Sequence, residues 1–137
     1  MLGTNVKIDL LKRAPLFAAC SRKELGEAAR IADEIDFPAG DVLIHEGRQG
    51  RQFYAIVEGT VRVTRKGRTV PIKGGADFFG EMALLTNAPT NATVTAATPV
   101  RALVIPAHSF RGLLERSPGI QLKVLRSLAE RVAVDAL

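Results

Sequence analysis

Apolar positions follow three rhythms along this chain. Near the start Val6, Leu10 and Leu11, then Ala14, Leu16 and Phe17, recur at helical spacing. Pro15 interrupts them, because it lacks a backbone donor and restricts Ala14, so a broken helical lead-in is predicted. Ser21 followed by Glu24 is a capping box, in which each side chain bonds the other's backbone, and it predicts a helix from about Arg22 to Ile31. The middle changes grammar: "DEIDFPAGDVLI", "QFYAIVEGTVRVTR", "RTVPIK" and "ATVTAA" are short apolar or alternating runs divided by glycine and proline, as strands are. Glu58-Gly59 and Lys66-Gly67 stand where tight hairpin turns belong, and Val61 and Val63 are predicted to face inward with Arg62 outward. After "RALVIP" the helical period returns with Phe110, Leu113 and Leu114, and Ser117 with Pro118 supplies an N-cap and first-turn proline for a final helix. Ile120, Val124, Leu125, Leu128 and Val132 stripe that helix, either as core packing or as a partner surface open to a homodimer.

Several short strands at turn-marked spacing, with helices before and after, predict a mainly β member of the α+β class, a β-barrel or jelly roll. Its 137 residues fit one domain with a real core: a helical segment 1–31, a barrel 32–106 and C-terminal helices 107–137. Hydrophobic residues at 47% and charged ones at 24% exclude disorder and fibrous architectures. Cys20, the sole cysteine, rules out an internal disulfide and suits a reducing cytoplasm. No run of about 18 apolar residues occurs, and the first 17 residues are amphipathic, so neither a membrane span nor a signal peptide is expected. The formal net charge is +5, but the basic residues are dispersed from Lys7 to Arg131, which reads as a solvated surface whose field concentrates small anions.

Two chemistries are disfavoured by residue count. "GDVLIHEGRQGRQFYAIVEGTVRV" has the rhythm of a cupin's first metal motif, yet such a site needs two or three histidines beside a carboxylate, and this chain has only His45 and His108. Cys20 has no histidine near it in sequence, and no serine stands in a nucleophile elbow. No enzymatic activity and no required cofactor are expected.

The stretch "FFGEMALLTNAPTNATV", residues 78–94, resembles the phosphate-binding cassette of the cyclic nucleotide-binding domain family. Phe79, Gly80, Glu81, Ala83 and Leu84 match its first half; Pro89, Ala92, Thr93 and Val94 match its second. "AGDVLIHEG", "FYAIVEGTVRV" and the helix after Ser117 extend the likeness over most of the chain. The resemblance implies an eight-stranded jelly-roll-like barrel with C-terminal lid helices, and a ligand, cAMP or cGMP, held at Phe79, Gly80, Glu81, Met82, Ala83, Thr90, Asn91 and Ala92. It implies that cassette amides meet the cyclic phosphate, Glu81 the ribose hydroxyl and Val63 the base, with Arg131 in a region that closes over the base in some members. It further implies output by movement of the C-terminal helix onto an unidentified effector protein. A DNA-reading helix-turn-helix would need a further segment after the last helix, so direct DNA recognition is not expected of this sequence.

Physical chemistry supports these roles and exposes one departure. Glycine admits close approach to backbone N–H groups at a helix start, and a carboxylate accepts from a hydroxyl but repels phosphate. The arginine that the resemblance places after Pro89 is Thr90 here, followed by Asn91, and no lysine or arginine occurs from Gly74 to Val100. Losing a partly buried charge-assisted pair costs about 2–5 kcal/mol, a fall in affinity of about 30-fold to several thousand-fold. Glu81 about 6 Å from one phosphate charge adds a repulsion of about 2–3 kcal/mol. The hydroxyl of Thr90 and the amide of Asn91 would return neutral bonds worth about 1 kcal/mol apiece. Arg48 and Arg51 in the glycine-rich turn are candidates to supply the missing charge, although a solvated loop is the plainer reading of both. Weak nucleotide binding is therefore expected, the alternative being a degenerate fold kept for protein contacts.

Overall fold

The run "QFYAIVE" does not alternate because both faces of the strand it forms, β3 (Gln52–Glu58), are covered. Phe53 and Ala55 enter a core shared with the helices, while Tyr54 and Ile56 enter a second core between two sheets. The same division holds on β8 (Val100–Pro106), where Leu103 and Ile105 face the helices and Ala102 and Val104 the opposite sheet. The computed structural model describes residues 1–70, 78–86 and 88–136, with the backbone alone at 82, 83 and 131–136.

Its strands form two four-stranded antiparallel sheets that make the predicted jelly-roll-like barrel. One sheet runs β1 (Asp33–Phe37), β8, β3, β6 (Phe78–Phe79); the other runs β2 (Val42–Ile44), β7 (Thr93–Ala96), β4 (Val61–Arg65), β5 (Arg68–Thr69). Tyr54 ties the sheets together, its hydroxyl donating to the Leu43 carbonyl at 2.8 Å. Lys66 and Gly67 both take positive φ (52° and 77°) in the β4–β5 hairpin, as predicted. Glu58-Gly59 is different: β3 and β4 lie in separate sheets, so this turn carries the chain across the barrel rather than closing a hairpin. Of "RTVPIK", Arg68–Thr69 pairs with β4 and residues 71–77 lie outside the described residues.

Helix α1 (Thr4–Lys12) turns Ile8 and Leu11 inward and leaves Val6 exposed. A one-turn 3-10 helix follows at Pro15–Phe17, where the proline fits the first turn. Phe17 makes edge-on contacts with Phe53 and Phe110, centroids 6.0 and 5.8 Å apart, and so joins the N-terminal segment to β3 and to α4 (Ala107–Arg116). Helix α2 (Arg22–Arg30) carries the complete capping box between Ser21 and Glu24. A short helix α3 (Glu81–Leu85) lies between β6 and β7, and α5 (Pro118–Ala136) ends the described chain. Ile120, Val124 and Ser127 are buried on α5, but Leu125 is 63% exposed, about one helical step from the inward face, so it leaves the predicted stripe. Val132 lies among residues whose side chains are not described. No helix among the described residues is long and apolar enough to cross a membrane.

The start of α5 is clamped to α2. Lys123 forms a short ion pair with Glu24, whose side chain is only 15% exposed, and a methyl group added at Gly119 would sit 2.7 Å from the Glu24 carboxylate. The Lys123 bond and the Ser21 backbone hold the Glu24 carboxyl below the ordinary 4.5 of a glutamate. A carboxyl whose folded value is depressed adds stability above its unfolded value and loses it as pH falls through the folded one. Thermal melts should therefore show a loss of stability below about pH 4.5 that Lys123→Met reduces; identical acid slopes for the two proteins would mean the pair contributes nothing.

Candidate ligand-binding cavity

Residues 78–94 are held in place at both ends by main-chain geometry. At the first end β6 pairs with β3, Tyr54 opposite Phe79 and Ala55 opposite Phe78, and Phe78 stacks on Phe53 with centroids 6.3 Å apart. The chain then turns at Gly80, whose φ of +84° and close passage over β3 both require glycine: a Cβ there would lie 2.4 Å from the Gln52 carbonyl oxygen. Helix α3 starts at the next residue, and Leu84 anchors it with a fully buried side chain. At the second end the turn between β2 and β3 grips the segment. Gln49 bridges Pro89, the Thr90 amide donates to the Arg48 carbonyl at 2.9 Å, and the Gly47 amide donates to the Thr90 carbonyl at 2.8 Å.

Between these anchors lies a cavity of about 390 Å³. Of the residues predicted to hold ligand, Val63, Phe79, Gly80, Glu81, Thr90, Asn91 and Ala92 line it together, with β4 and β7 forming one wall and the β6–α3 junction another. Met82 and Ala83 lie on α3 and Arg131 on α5, but their side chains fall outside the described residues. Apolar surface supplied by Ile44, Val63, Phe78, Phe79 and Val94 dominates the lining, and Glu81 is its one described acid. Such a cavity, mostly apolar with a few convergent polar groups, suits a small ligand with a flat apolar part and a polar edge.

Thr90 differs from its expected posture. Its hydroxyl donates to the carbonyl of His45 and lies 3.2 Å from that of Arg48, so its one proton is engaged within the turn and only lone pairs face an anion. Arg48 and Arg51 do not line this cavity. They border a neighbouring hollow of about 550 Å³ that shares Ile44, Gly80 and Thr90 with it.

The residue that sequence reasoning missed is Arg65. It is the one described cation in the cavity lining, and its Nε donates to the Asn91 carbonyl at 2.8 Å. The signal was available: Val63 pairs with Val94 and Thr64 with Thr93, so alternation along β4 puts Arg65 on the face of Val63, across from Ala92. Cys20 is remote from this cavity, and burial pushes its thiol up, away from the reactive thiolate.

The family described as "Cyclic nucleotide-binding domain" matches residues 34–117. A cyclic nucleotide-gated potassium channel of Rhizobium etli is 38% identical over 123 residues, which cover 90% of this chain and 34% of the channel. A CRP-like cAMP-activated global transcriptional regulator of Mycobacterium tuberculosis is 30% identical over 129 residues, 90% of this chain and 58% of the regulator. The chain thus spans only part of the length of these relatives. Among solved structures, the N-terminal domain of a transcriptional regulator from Streptomyces coelicolor superposes with a TM-score of 0.83 at 32% identity, covering 93% of this chain and 94% of that one.

Gly80 tests the anchoring of the site. Gly80→Ala should cost about 1–3 kcal/mol from the positive φ alone, with more from the collision at Gln52, measured as a lower urea midpoint. An unchanged midpoint would show that the junction yields and that its position over β3 is not imposed by the missing side chain.

Proposed function

We propose that this chain, which belongs to the cyclic nucleotide-binding domain family, is a sensor module that takes up cAMP or cGMP weakly in the cavity between β4, β7 and the β6–α3 junction. The observation that carries this reading is the convergence of both halves of segment 78–94, Glu81 included, on one cavity. In that space the ribose hydroxyl donates to Glu81, which accepts only, and Val63 packs beneath the base. Phosphate meets the turn of Gly80 and Asn91. Affinity is low because segment 78–94 brings no cation of its own.

Output is conformational rather than chemical in this reading. Helix α3 packs on α4, and α4 on α5, so a ligand that favours one setting of α3 shifts α5 by its differential affinity for the two settings. An effector protein in the cytoplasm, or a second copy of the chain, reads that shift at the exposed Leu122 and Leu125 of α5. Relatives named as channels, transcriptional regulators and kinase regulatory subunits join a domain of this kind to other segments, which supports a regulatory role without naming the effector. One feature favours the second reading, a degenerate fold kept for protein contacts: the Thr90 hydroxyl spends its proton inside the turn.

Calorimetric titration separates the two. The natural chain should bind cAMP or cGMP in the millimolar range or tighter, and bind the 2′-deoxy form of the preferred nucleotide about tenfold more weakly. Glu81→Gln should narrow that gap toward unity, because the amide accepts from the 2′-hydroxyl less strongly than the carboxylate does, whatever the parent nucleotide gains from the relieved repulsion of its phosphate. No heat with either nucleotide at millimolar concentration would sink the sensor reading and leave the protein-contact one.

A further inference from the structure

We propose that Arg65 is the phosphate-binding cation of this chain, reaching from β4 to do what the basic residue absent from segment 78–94 cannot. This rests on the nucleotide reading above and adds a residue to it. Four observations support the placement. Arg65 lines the same cavity as Gly80, Glu81 and Asn91. It stands two residues after Val63 on the inward face of β4, beyond the Thr64–Thr93 pair and therefore across from Ala92. Its Nε–H bonds the Asn91 carbonyl at 2.8 Å, which fixes the guanidinium plane against the turn where the second half of the segment begins. Its described bond uses Nε rather than a terminal nitrogen, and among the described residues no carboxylate pairs with it.

A guanidinium held by one nitrogen keeps donors on the others in a planar fork, which matches two oxygens of a phosphodiester. No other described cation lines this cavity. Thr90 has committed its proton to the backbone, and Arg48 and Arg51 border the neighbouring hollow. With Arg65 at one wall and Glu81 at another, the cavity presents one positive and one acceptor-only group to a ligand that carries one negative phosphate and one neutral hydroxyl. Because Arg65 is exposed at the mouth, its contribution is screened by salt more than that of an enclosed arginine.

The test is a double-mutant cycle of cAMP affinity by calorimetry on the natural chain, Arg65→Gln, Thr90→Arg and the double variant, with thermal melts run alongside. Arg65→Gln is expected to weaken cAMP about tenfold at low salt with little change in melting temperature, and Arg65→Lys to fall between the two because it keeps charge but loses the fork. Thr90→Arg should strengthen binding more in the Arg65→Gln background than in the natural one, since two cations then no longer share one phosphate. Equal cAMP affinity with and without Arg65, or a gain from Thr90→Arg that is the same in both backgrounds, overturns the assignment and leaves the nucleotide reading standing. Failure of the natural chain to bind cAMP or cGMP at all removes that reading and this proposal together. Should Arg65→Gln melt well below the natural chain, Arg65→Lys and the salt dependence of the natural chain decide: insensitivity of binding to both overturns the assignment.

Discussion

The cavity exists because β3 has no face turned to water. A strand covered on both sides cannot slip by one residue without exchanging its two sets of side chains, so its register against β8 and β6 is set by burial rather than by the hydrogen bonds themselves. Phe53 locks that register from the helix side and Tyr54 from the sheet side. Everything at the site is measured from this strand: β6 pairs with its middle, Gly80 passes over its first residue, and the turn that precedes it holds Pro89 and Thr90. The 17-residue segment 78–94 is held at its first end by β3 and at its second by the turn that leads into β3.

Charge is distributed on a different principle from packing. Segment 78–94 has no basic residue, in a chain that carries 19 lysines and arginines, and this would leave Glu81 to set a negative potential over the cavity. The one described cation in the same lining, Arg65, comes from a neighbouring strand. In the β-ladder the distance from position 65 to position 91 is one diagonal step, although the two are separated by 26 residues of chain. A side chain that arrives across a sheet is positioned by strand register, and register in turn depends on β7 pairing with β4 along Val94 and Thr93. The placement of charge therefore inherits its precision from the packing of apolar residues.

Much of this was legible in sequence, and the gaps have physical causes. Helix ends were readable where a side chain closes them, as Ser21 and Glu24 do, because capping is local chemistry. The barrel was readable from the change of period and from the likeness carried by residues 78–94. What failed were statements about which element lies beside which. Glu58-Gly59 looks like a hairpin turn, and a glycine is indeed required there, since a Cβ would meet the Pro99 carbonyl at 2.2 Å; but the requirement comes from a sheet-to-sheet crossing that no local pattern encodes. Arg48 and Arg51 are near Thr90 in space and still face another hollow, while Arg65 was passed over although alternation from Val63 reaches it. Leu125 belongs to an apolar spacing that a helix of this length satisfies in more than one way, and packing against the 3-10 turn and α4 decides which face turns inward.

The helices around the cavity are held unequally. Leu84 is fully buried in the core that also holds Phe53, Phe110, Leu113 and Ile120, so α3 cannot move as a free loop would. Dense cores accommodate displacement by shifting whole elements rather than by compressing. On the β3 side the register is fixed, and on the α4 side the contact is helix on helix, where small sliding costs least. Helix α5 packs beyond α4, yet it is not equally held along its length: Ile120 and Val124 are buried and Lys123 is paired with Glu24, whereas Leu122 and Leu125 lie open beside a groove that also receives Leu85 of α3. Under the proposed output, a strain introduced at α3 would meet the clamped start of α5 and the more open face that borders this groove. The same asymmetry makes Gly119 important, for without a side chain there the helix can begin against the Glu24 carboxylate, and the contacts with Glu24 fall within the first two turns of the helix.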